Sequence, residues 1–423
     1  MILKRITKIK SVVDFIYLFF SNIFIKIFGF FRELILAYFF GSSIIFAYYI
    51  LLKTVADFLS QFTFGNALQA NLLPKLSQHF NTHNSPSYNN LFNFTIKLLL
   101  ILFIISQFIQ LIIILMLESE YTLQLILLSF LLSILVVVNF FNSIFFTVLQ
   151  AEGKFQTYSI ANTFNLFVST LFLYPLILVS NIFGAAISRI LGVIFLAKKY
   201  IQPIILRERG QEVKINYDDF SFSILLLGNL STIIILISRF ISGSDGGNNI
   251  TFFNYAAVIL SVFLTSIVSN INTLMLRNIS VEKNLRWFYY SLFITISICL
   301  FLFFITYNYS EPLIKFIYQR GEFTIVDSLK TAYYFKNMTL AIIILLLSTV
   351  ICQPYFTLDK KITNKHSFNL TSVIILSFII VISITYIYDW EIIYKSLFSL
   401  YAMSIVYFIF SIYSIITYIK HEN

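Results

Sequence analysis

Residues 95–117 read TIKLLLILFIISQFIQLIIILML. Beyond Lys97 the stretch has no charge, and its polar side chains are Ser106, Gln107 and Gln110 alone. A helix rising about 1.5 Å per residue needs about 20 apolar residues to cross a hydrocarbon core of roughly 30 Å. This run meets that length, and it is not isolated. Comparable runs lie at about 14–40, 44–70, 122–149, 159–179, 182–200, 221–241, 250–276, 287–308, 332–357, 368–387 and 393–418, twelve in all. The alternating pattern of a membrane β-barrel is absent, so the runs read as helices. The 423 residues are 59% hydrophobic and 11% charged, with a mean hydropathy of +0.87. Average chains carry about a quarter charged residues, and this deficit excludes soluble enzymes and DNA-binding factors.

The net charge of +10 is not a nucleic-acid signature, because the basic residues sit in short clusters between apolar runs. Lys4, Arg5, Lys8 and Lys10 precede the first run, and every second loop after it is basic: Lys75 and Lys97, Lys154, then Lys198 to Lys214, Arg277 to Arg286, Lys360 to Lys365, and Lys420. The loops at 41–43, 118–120, 180–181, 242–249 and 389–391 hold no Lys or Arg. Basic loops stay on the cytoplasmic side, so both termini are expected in the cytoplasm. The segment 309–331 mixes both signs, and Pro312 to Tyr318 is expected to lie as a short amphipathic piece in the interface. A cleavable leader is the alternative for the first forty residues, but the apolar run is long, holds Lys26, Arg32 and Glu33, and shows no small-residue cleavage site.

A faint duplication supports two bundles. Leu73-Pro74-Lys75-Leu76-Ser77 and Leu276-Arg277-Asn278-Ile279-Ser280 close the second and eighth runs, while Gly153-Lys154-Phe155-Gln156-Thr157 and Asp359-Lys360-Lys361-Ile362-Thr363 follow the fourth and tenth. Six helices separate the copies, as in parallel-repeat transporters with a cavity between the bundles. The expected organisation is an amino-terminal lobe at 1–205, a cytoplasmic linker at 206–220 and a carboxyl-terminal lobe at 221–423.

Ionisable groups inside the runs mark function, since each costs a few kcal/mol at the bilayer centre. Lys26 and Glu33 share one face of the first helix, with Gly29 between them to allow a bend or close approach and Arg32 about a third of a turn away. Lys53 and Asp57 are i,i+4 and can pair. Arg189 lies mid-run in the sixth helix and Arg239 near the end of the seventh. Arg239 and Lys395 have a plainer reading, in which they snorkel to the surface. The cationic set Lys26, Arg32, Lys53, Arg189 and Arg239 suits a phosphate-bearing ligand, and Glu33 and Asp57 are the acids available for ion coupling. Cys299 and Cys352 lack metal or disulfide spacing and read as packing residues. His79 and His83 are i,i+4 without a third ligand nearby, which reads as an exposed face. No Walker-type phosphate loop appears, and no cofactor is expected.

Several motifs are similar to one known family. Phe28-Gly29-Phe30-Phe31-Arg32-Glu33, then Phe40-Gly41, then Asn66-Ala67-Leu68-Gln69-Ala70 running into Leu73–Ser77, resemble the opening of the MurJ (MviN) lipid II flippases, within the multidrug/oligosaccharidyl-lipid/polysaccharide (MOP) exporter superfamily. Tyr318-Gln319-Arg320-Gly321-Glu322-Phe323-Thr324, with Asp327 three residues on, resembles the segment those proteins place between helices nine and ten. The resemblance implies an all-α membrane protein of about twelve helices in two six-helix lobes around a central cationic cavity, similar to MATE transporters. It implies that an undecaprenyl-pyrophosphate-linked saccharide, lipid II for peptidoglycan or another cell-envelope glycan, passes to the outer leaflet of the bacterial inner membrane by alternating access. Arg32 with Glu33 stands at the family's first-helix Arg-acid pair, Lys26 where some members have Arg, and Lys53 at a basic position of the second helix. The chain departs from the pattern at Phe46, where the family has an acid, at Leu59 and Ser60, where it has paired arginines, and at Tyr255-Ala256-Ala257-Val258, where it has Tyr-Ala-Asp-Arg. It also stops after twelve helices, whereas members often have two more.

The leading expectation is a non-catalytic transporter, a monomer with a lipid-linked anionic glycan as partner, a possible coupling ion, and no nucleic acid. The alternatives are an ion-coupled exporter of small molecules from the same superfamily and a degenerate membrane scaffold. A membrane enzyme is disfavoured, because all four histidines fall in loops or a tail expected in the cytoplasm.

Overall fold

The computed structural model describes residues 2–63, 89–117, 119–206, 229–262, 285–358 and 360–422, with single positions at 76, 227, 271, 272, 275 and 279. Among the described residues there are twelve helices, short turns aside, and no strand. They are α1 (Ile2–Phe40), α2 (Ile44–Thr63), α3 (Asn89–Leu117), α4 (Thr122–Ala151), α5 (Phe155–Ser180) and α6 (Ile182–Leu196), then α7 (Leu230–Ile241), α8 (Asn249–Val262), α9 (Arg286–Tyr318), α10 (Ile325–Cys352), α11 (Lys360–Ile387) and α12 (Ile392–Glu422). Their order follows the twelve apolar runs. Seven are long and apolar enough by themselves to cross a membrane: α3, α4, α5, α9, α10, α11 and α12. The other five are shorter or carry the intramembrane charges. The motif at 66–70, all of 73–77 but Leu76, and the histidines at 79 and 83 lie outside the described residues. So do residues 207–220 of the expected linker and most of the 276–280 repeat.

The packing divides the chain into two units. One takes residues 1–35 with 55–225, the other 36–54 with 226–423. The end of α1 and most of α2 therefore pack with the carboxyl-terminal helices, a grouping that chain order alone does not give.

In the first unit, the three polar groups beyond Lys97 in the 95–117 stretch turn to α4. Ser106 and Ser133 hydroxyls are 3.0 Å apart, Gln110 donates to both at 2.9 and 3.2 Å, and Gln107 donates to Ser129 at 3.0 Å. With no water in hydrocarbon, a polar side chain is stable there only against a partner. The α5–α6 hairpin reverses through one residue, Asn181, whose φ of 53° is the left-handed conformation that Asn tolerates. Gly184, Ser188 and Gly192 recur every four residues along one face of α6, the small-residue spacing that lets helices approach. A Cβ at Gly184 would collide with the Leu176 backbone, and one at Gly192 with the Asn165 carbonyl. Gly29 behaves oppositely: nothing lies within 4 Å of where its Cβ would be, and α1 runs on through it. Of the two possibilities expected at Gly29, a bend or a close approach, no close approach is made here, and the glycine faces open space.

In the second unit α10 packs against α8, α9 and α12, and α12 also against α7 and α11. Hydroxyls stitch these contacts: Ser399 to Ser238 at 3.1 Å, Tyr334 to Ser396 at 3.4 Å, and Tyr401 to the Asn337 carbonyl at 2.6 Å. Helix α9 kinks at Tyr309 (φ −127°, ψ 18°) before Pro312. Proline lacks an N–H and crowds the carbonyl four residues back, so the amphipathic piece expected at 312–318 is the bent last part of α9, with an exposed Lys315–Glu311 pair. Cys299 and Cys352 are free and buried, as packing residues are.

The two kinds of glycine predict opposite responses. Gly192→Ala should lower the thermal unfolding midpoint in detergent, by about 1–3 kcal/mol of overpacking. Gly29→Ala should hold or raise it, by roughly 0.5–1 kcal/mol from restricting a helical glycine.

Candidate functional site

Arg32 sits near the end of α1 and is 2% exposed. One terminal nitrogen donates to the hydroxyl and, at 3.3 Å, to the carbonyl of Ser169 on α5, and to the Ser188 hydroxyl on α6 at 3.3 Å. The other donates to the Ala185 carbonyl at 3.3 Å. Those acceptors are within reach because the small face of α6 brings α5 and α6 together. The guanidinium is thus held by the protein itself. Glu33, the next residue, is also buried.

The neighbour of Ser188 is Arg189, whose guanidinium lies 3.9 Å from the Asp57 carboxylate of α2. Both groups keep part of their side-chain surface, 25% and 32%. Consecutive residues of α6 therefore serve α1 and α2, and the acid that spacing pairs with Lys53 also meets Arg189. Lys26 lies one and a half turns before Arg32 and is half-buried. Of the predicted set, the amino-terminal unit thus holds one enclosed arginine, Arg32, and two partly accessible cations, Lys26 and Arg189.

The second unit holds the rest of the predicted set. Lys53 is buried in α2. Arg239 is 7% exposed and donates to the Asn254 side-chain oxygen on α8 at 2.8 Å, so it does not snorkel to the surface. Lys395, one turn into α12, is partly exposed. Phe46, where the resemblance implied an acid, is fully buried and stacked on Tyr255, ring centres 5.9 Å apart. An aromatic contact fills that position.

Two of the hollows among the described residues stand out, and none of the predicted site residues lines either. One, of about 480 Å³, lies between α1 and α5, walled by Phe20, Phe24, Phe28 and Phe167 with Ser21 and Thr163 at its polar edge. The other, of about 620 Å³, opens at the start of α12 among Asp389, Trp390, Glu391, Tyr394 and Phe398. The partners Ser169, Ser188 and Asn254 were missed from sequence. The four-residue spacing of Gly184, Ser188 and Gly192 is the signal that could have exposed Ser188.

No protein-family profile and no curated protein matches the sequence. Solved structures do. A lipid II flippase MurJ in an inward closed conformation superposes with a TM-score of 0.70 at 22% identity, covering 96% of this chain and 87% of that one. The fold is therefore like that of this flippase. An inward-facing MATE-family multidrug resistance transporter gives 0.64 at 14% identity, covering 94% of this chain and 96% of its own. A MOP-superfamily transporter from Pyrococcus furiosus gives 0.54 at 12%, covering 99% and 92%. The likeness spans the whole chain, so the expected all-α, MATE-like architecture is observed.

The arrangement separates structural cations from accessible ones. Arg32→Ala removes the bonds that tie α1 to Ser169, Ser188 and Ala185 and leaves a cavity where the buried side chain stood, a loss of about 2–5 kcal/mol for truncating a large enclosed side chain. It should lower the unfolding midpoint clearly, while Lys26→Gln leaves it within about a degree or two, the small effect usual for a residue outside such a network. A scan of both purified variants checks this.

Proposed function

We propose that the protein is a transporter that moves a lipid-linked anionic saccharide, of the undecaprenyl-pyrophosphate type, from the cytoplasmic to the outer leaflet of a bacterial inner membrane. The observation that carries this reading is the pair of partly accessible cations, Lys26 and Arg189, inside an apolar fold like that of a lipid II flippase. Ammonium and guanidinium groups recognise phosphate oxygens through charge-assisted hydrogen bonds, and at membrane depth such a cation is retained where it meets a counter-charge. Arg189 is offset by Asp57 at 3.9 Å, a separation long enough for a phosphate oxygen to displace the carboxylate. Arg32 and Arg239, already bonded to protein acceptors, shape the lobes that carry the site.

Both termini lie in the cytoplasm in this reading, following the basic loops. Transport proceeds by alternating access, with the headgroup passing Lys26 and Arg189 while the lipid tail stays in the bilayer. An inside-negative potential favours the outward passage of an anion, by about 2.3 kcal/mol per charge per 100 mV if the charge is uncompensated. The glycan is lipid II or another cell-envelope precursor. A second reading, export of small molecules coupled to an ion, draws on the MATE likeness and on the exposed part of Asp57.

Reconstitution separates these readings. Lys26→Gln and Arg189→Gln should each slow the transfer of a labelled undecaprenyl-pyrophosphate saccharide across vesicles at least tenfold, without changing the unfolding midpoint. Unchanged transfer in both variants rejects the cationic site. Proton-driven export of fluorescent organic cations, abolished by Asp57→Asn, would favour the second reading.

A further inference from the structure

The segment Gln319-Arg320-Gly321-Glu322-Phe323-Thr324, singled out in the sequence, has no place in substrate recognition, yet it is among the most closely built parts of the second unit. It forms the turn between α9 and α10, and it grips the turn between α1 and α2. Two glycines with left-handed backbones, Gly41 (φ 49°) and Gly321 (φ 57°), lie face to face. A Cβ on Gly41 would strike the carbonyl oxygen of Glu322, and one on Gly321 would strike that of Tyr38. Only glycine satisfies both demands, the conformation and the contact.

Hydrogen bonds fix the register. The Glu322 N–H donates to the Tyr38 carbonyl at 3.0 Å, closing the end of α1. The Ser42 hydroxyl donates to the Asp327 carboxylate at 2.6 Å. The second oxygen of that carboxylate accepts from the Thr324 N–H and hydroxyl, in a capping box that starts α10. Asn248 donates to the Ser42 carbonyl and Tyr255 to the Gly41 carbonyl, each at 3.3 Å. Beneath these bonds lies an aromatic stack of buried rings. Phe46 lies between Phe40 and Tyr255, with centres 5.6 and 5.9 Å away, and Tyr255 meets Tyr318 at 4.8 Å and Phe323 at 5.3 Å.

This grip explains why residues 36–54 belong to the carboxyl-terminal unit although their helices begin and end in the other one. The chain passes between units within α1, at 35–36, and again within α2, at 54–55. A relative movement of the units must therefore either bend both helices at those points or release the grip. Its bonds are of two kinds. The hydroxyl and amide donors of Ser42, Asn248 and Tyr255 exchange for water at little cost once exposed, and the rings of Tyr318 and Phe323 meet Tyr255 tilted and edge-on.

We propose that the α9–α10 turn is a latch on the α1–α2 turn, closed in the state seen here, and that its release is required for the units to change their relative arrangement. On the orientation given above the latch lies on the outer face. The inference rests on the protein being an alternating transporter but not on what it carries.

The test needs no substrate. In the full chain, with Cys299 and Cys352 replaced by alanine, Ala47→Cys places a thiol at a position in α2 that is 1% exposed, one turn beyond the grip. Separately, spin labels at the exposed Lys154→Cys and Arg286→Cys report the distance between the units. Ser42→Ala, which removes one bond, and Gly321→Ala, which forces the turns apart, should each raise maleimide labelling of Ala47→Cys at least fivefold. Each should also add a second population to the Lys154–Arg286 distance distribution. Labelling within twofold of the parent in a folded Ser42→Ala protein overturns the proposal, and so does faster labelling with an unchanged distance distribution, which would mean local loosening only. Should Gly321→Ala fail to fold, Ser42→Ala decides alone. Failure of saccharide transfer in vesicles, with these shifts observed, would reject the substrate and leave the latch standing.

Discussion

A polar group inside hydrocarbon has no water to turn to, and most of the organisation of this protein follows from where each such group finds its partner. The peptide groups are satisfied within helices. Many Ser and Thr hydroxyls bond back to a carbonyl of their own helix, and the polar groups that reach across instead tie particular helices together. Gln107 and Gln110 bind α3 to α4, Arg32 binds α1 to α5 and α6, Arg239 binds α7 to α8, and a line of serines binds α12 to α7 and α10. Apolar surface gives little preference among helices in lipid, because the tails are as apolar as leucine. The polar contacts supply the register that hydrophobicity cannot.

The same constraint sorts the charges. A buried arginine whose donors are taken by carbonyls and hydroxyls, as Arg32's are, is part of the scaffold. A cation that keeps part of its surface, as Lys26 and Arg189 do, remains available to something else. Small residues set which fate applies: Gly184, Ser188 and Gly192 draw α6 so close to α5 that the head of Arg32 is enclosed, while the next residue, Arg189, sits on another face of the helix and meets Asp57. Adjacent positions in sequence thus take opposite roles through the hundred-degree turn of a helix per residue.

Much of this was legible beforehand. The run at 95–117 and its eleven counterparts give the helix order, because length and apolarity are local properties. The turn residues Gly41, Gly153 and Asn181 mark reversals, since few other residues accept their backbone angles. The family resemblance at Arg32, Glu33 and 318–324 foreshadowed the fold that the structural likeness then showed. The Arg32 environment was not legible. Its acceptors lie 137 to 156 residues away along the chain, and no spacing within α1 contains them. Gly29, expected to allow a bend or a close approach, has nothing within 4 Å of where its Cβ would be, since a glycine reports permission for contact and not the contact itself.

The sequence by itself determined a chain of apolar helices, their order, the alternation of basic and neutral loops, and which few ionisable groups had to be accommodated. Each of these depends on residues within one or two helical turns. The tertiary structure alone decided which cations are enclosed and which remain accessible, that residues 36–54 join the carboxyl-terminal unit, and that Phe46 stacks on Tyr255 instead of standing where an acid might be. Those outcomes depend on the meeting of separate helices, in most cases more than a hundred residues apart, where the fit of side-chain volumes and the pairing of donors with acceptors select one arrangement among many of similar hydrophobicity.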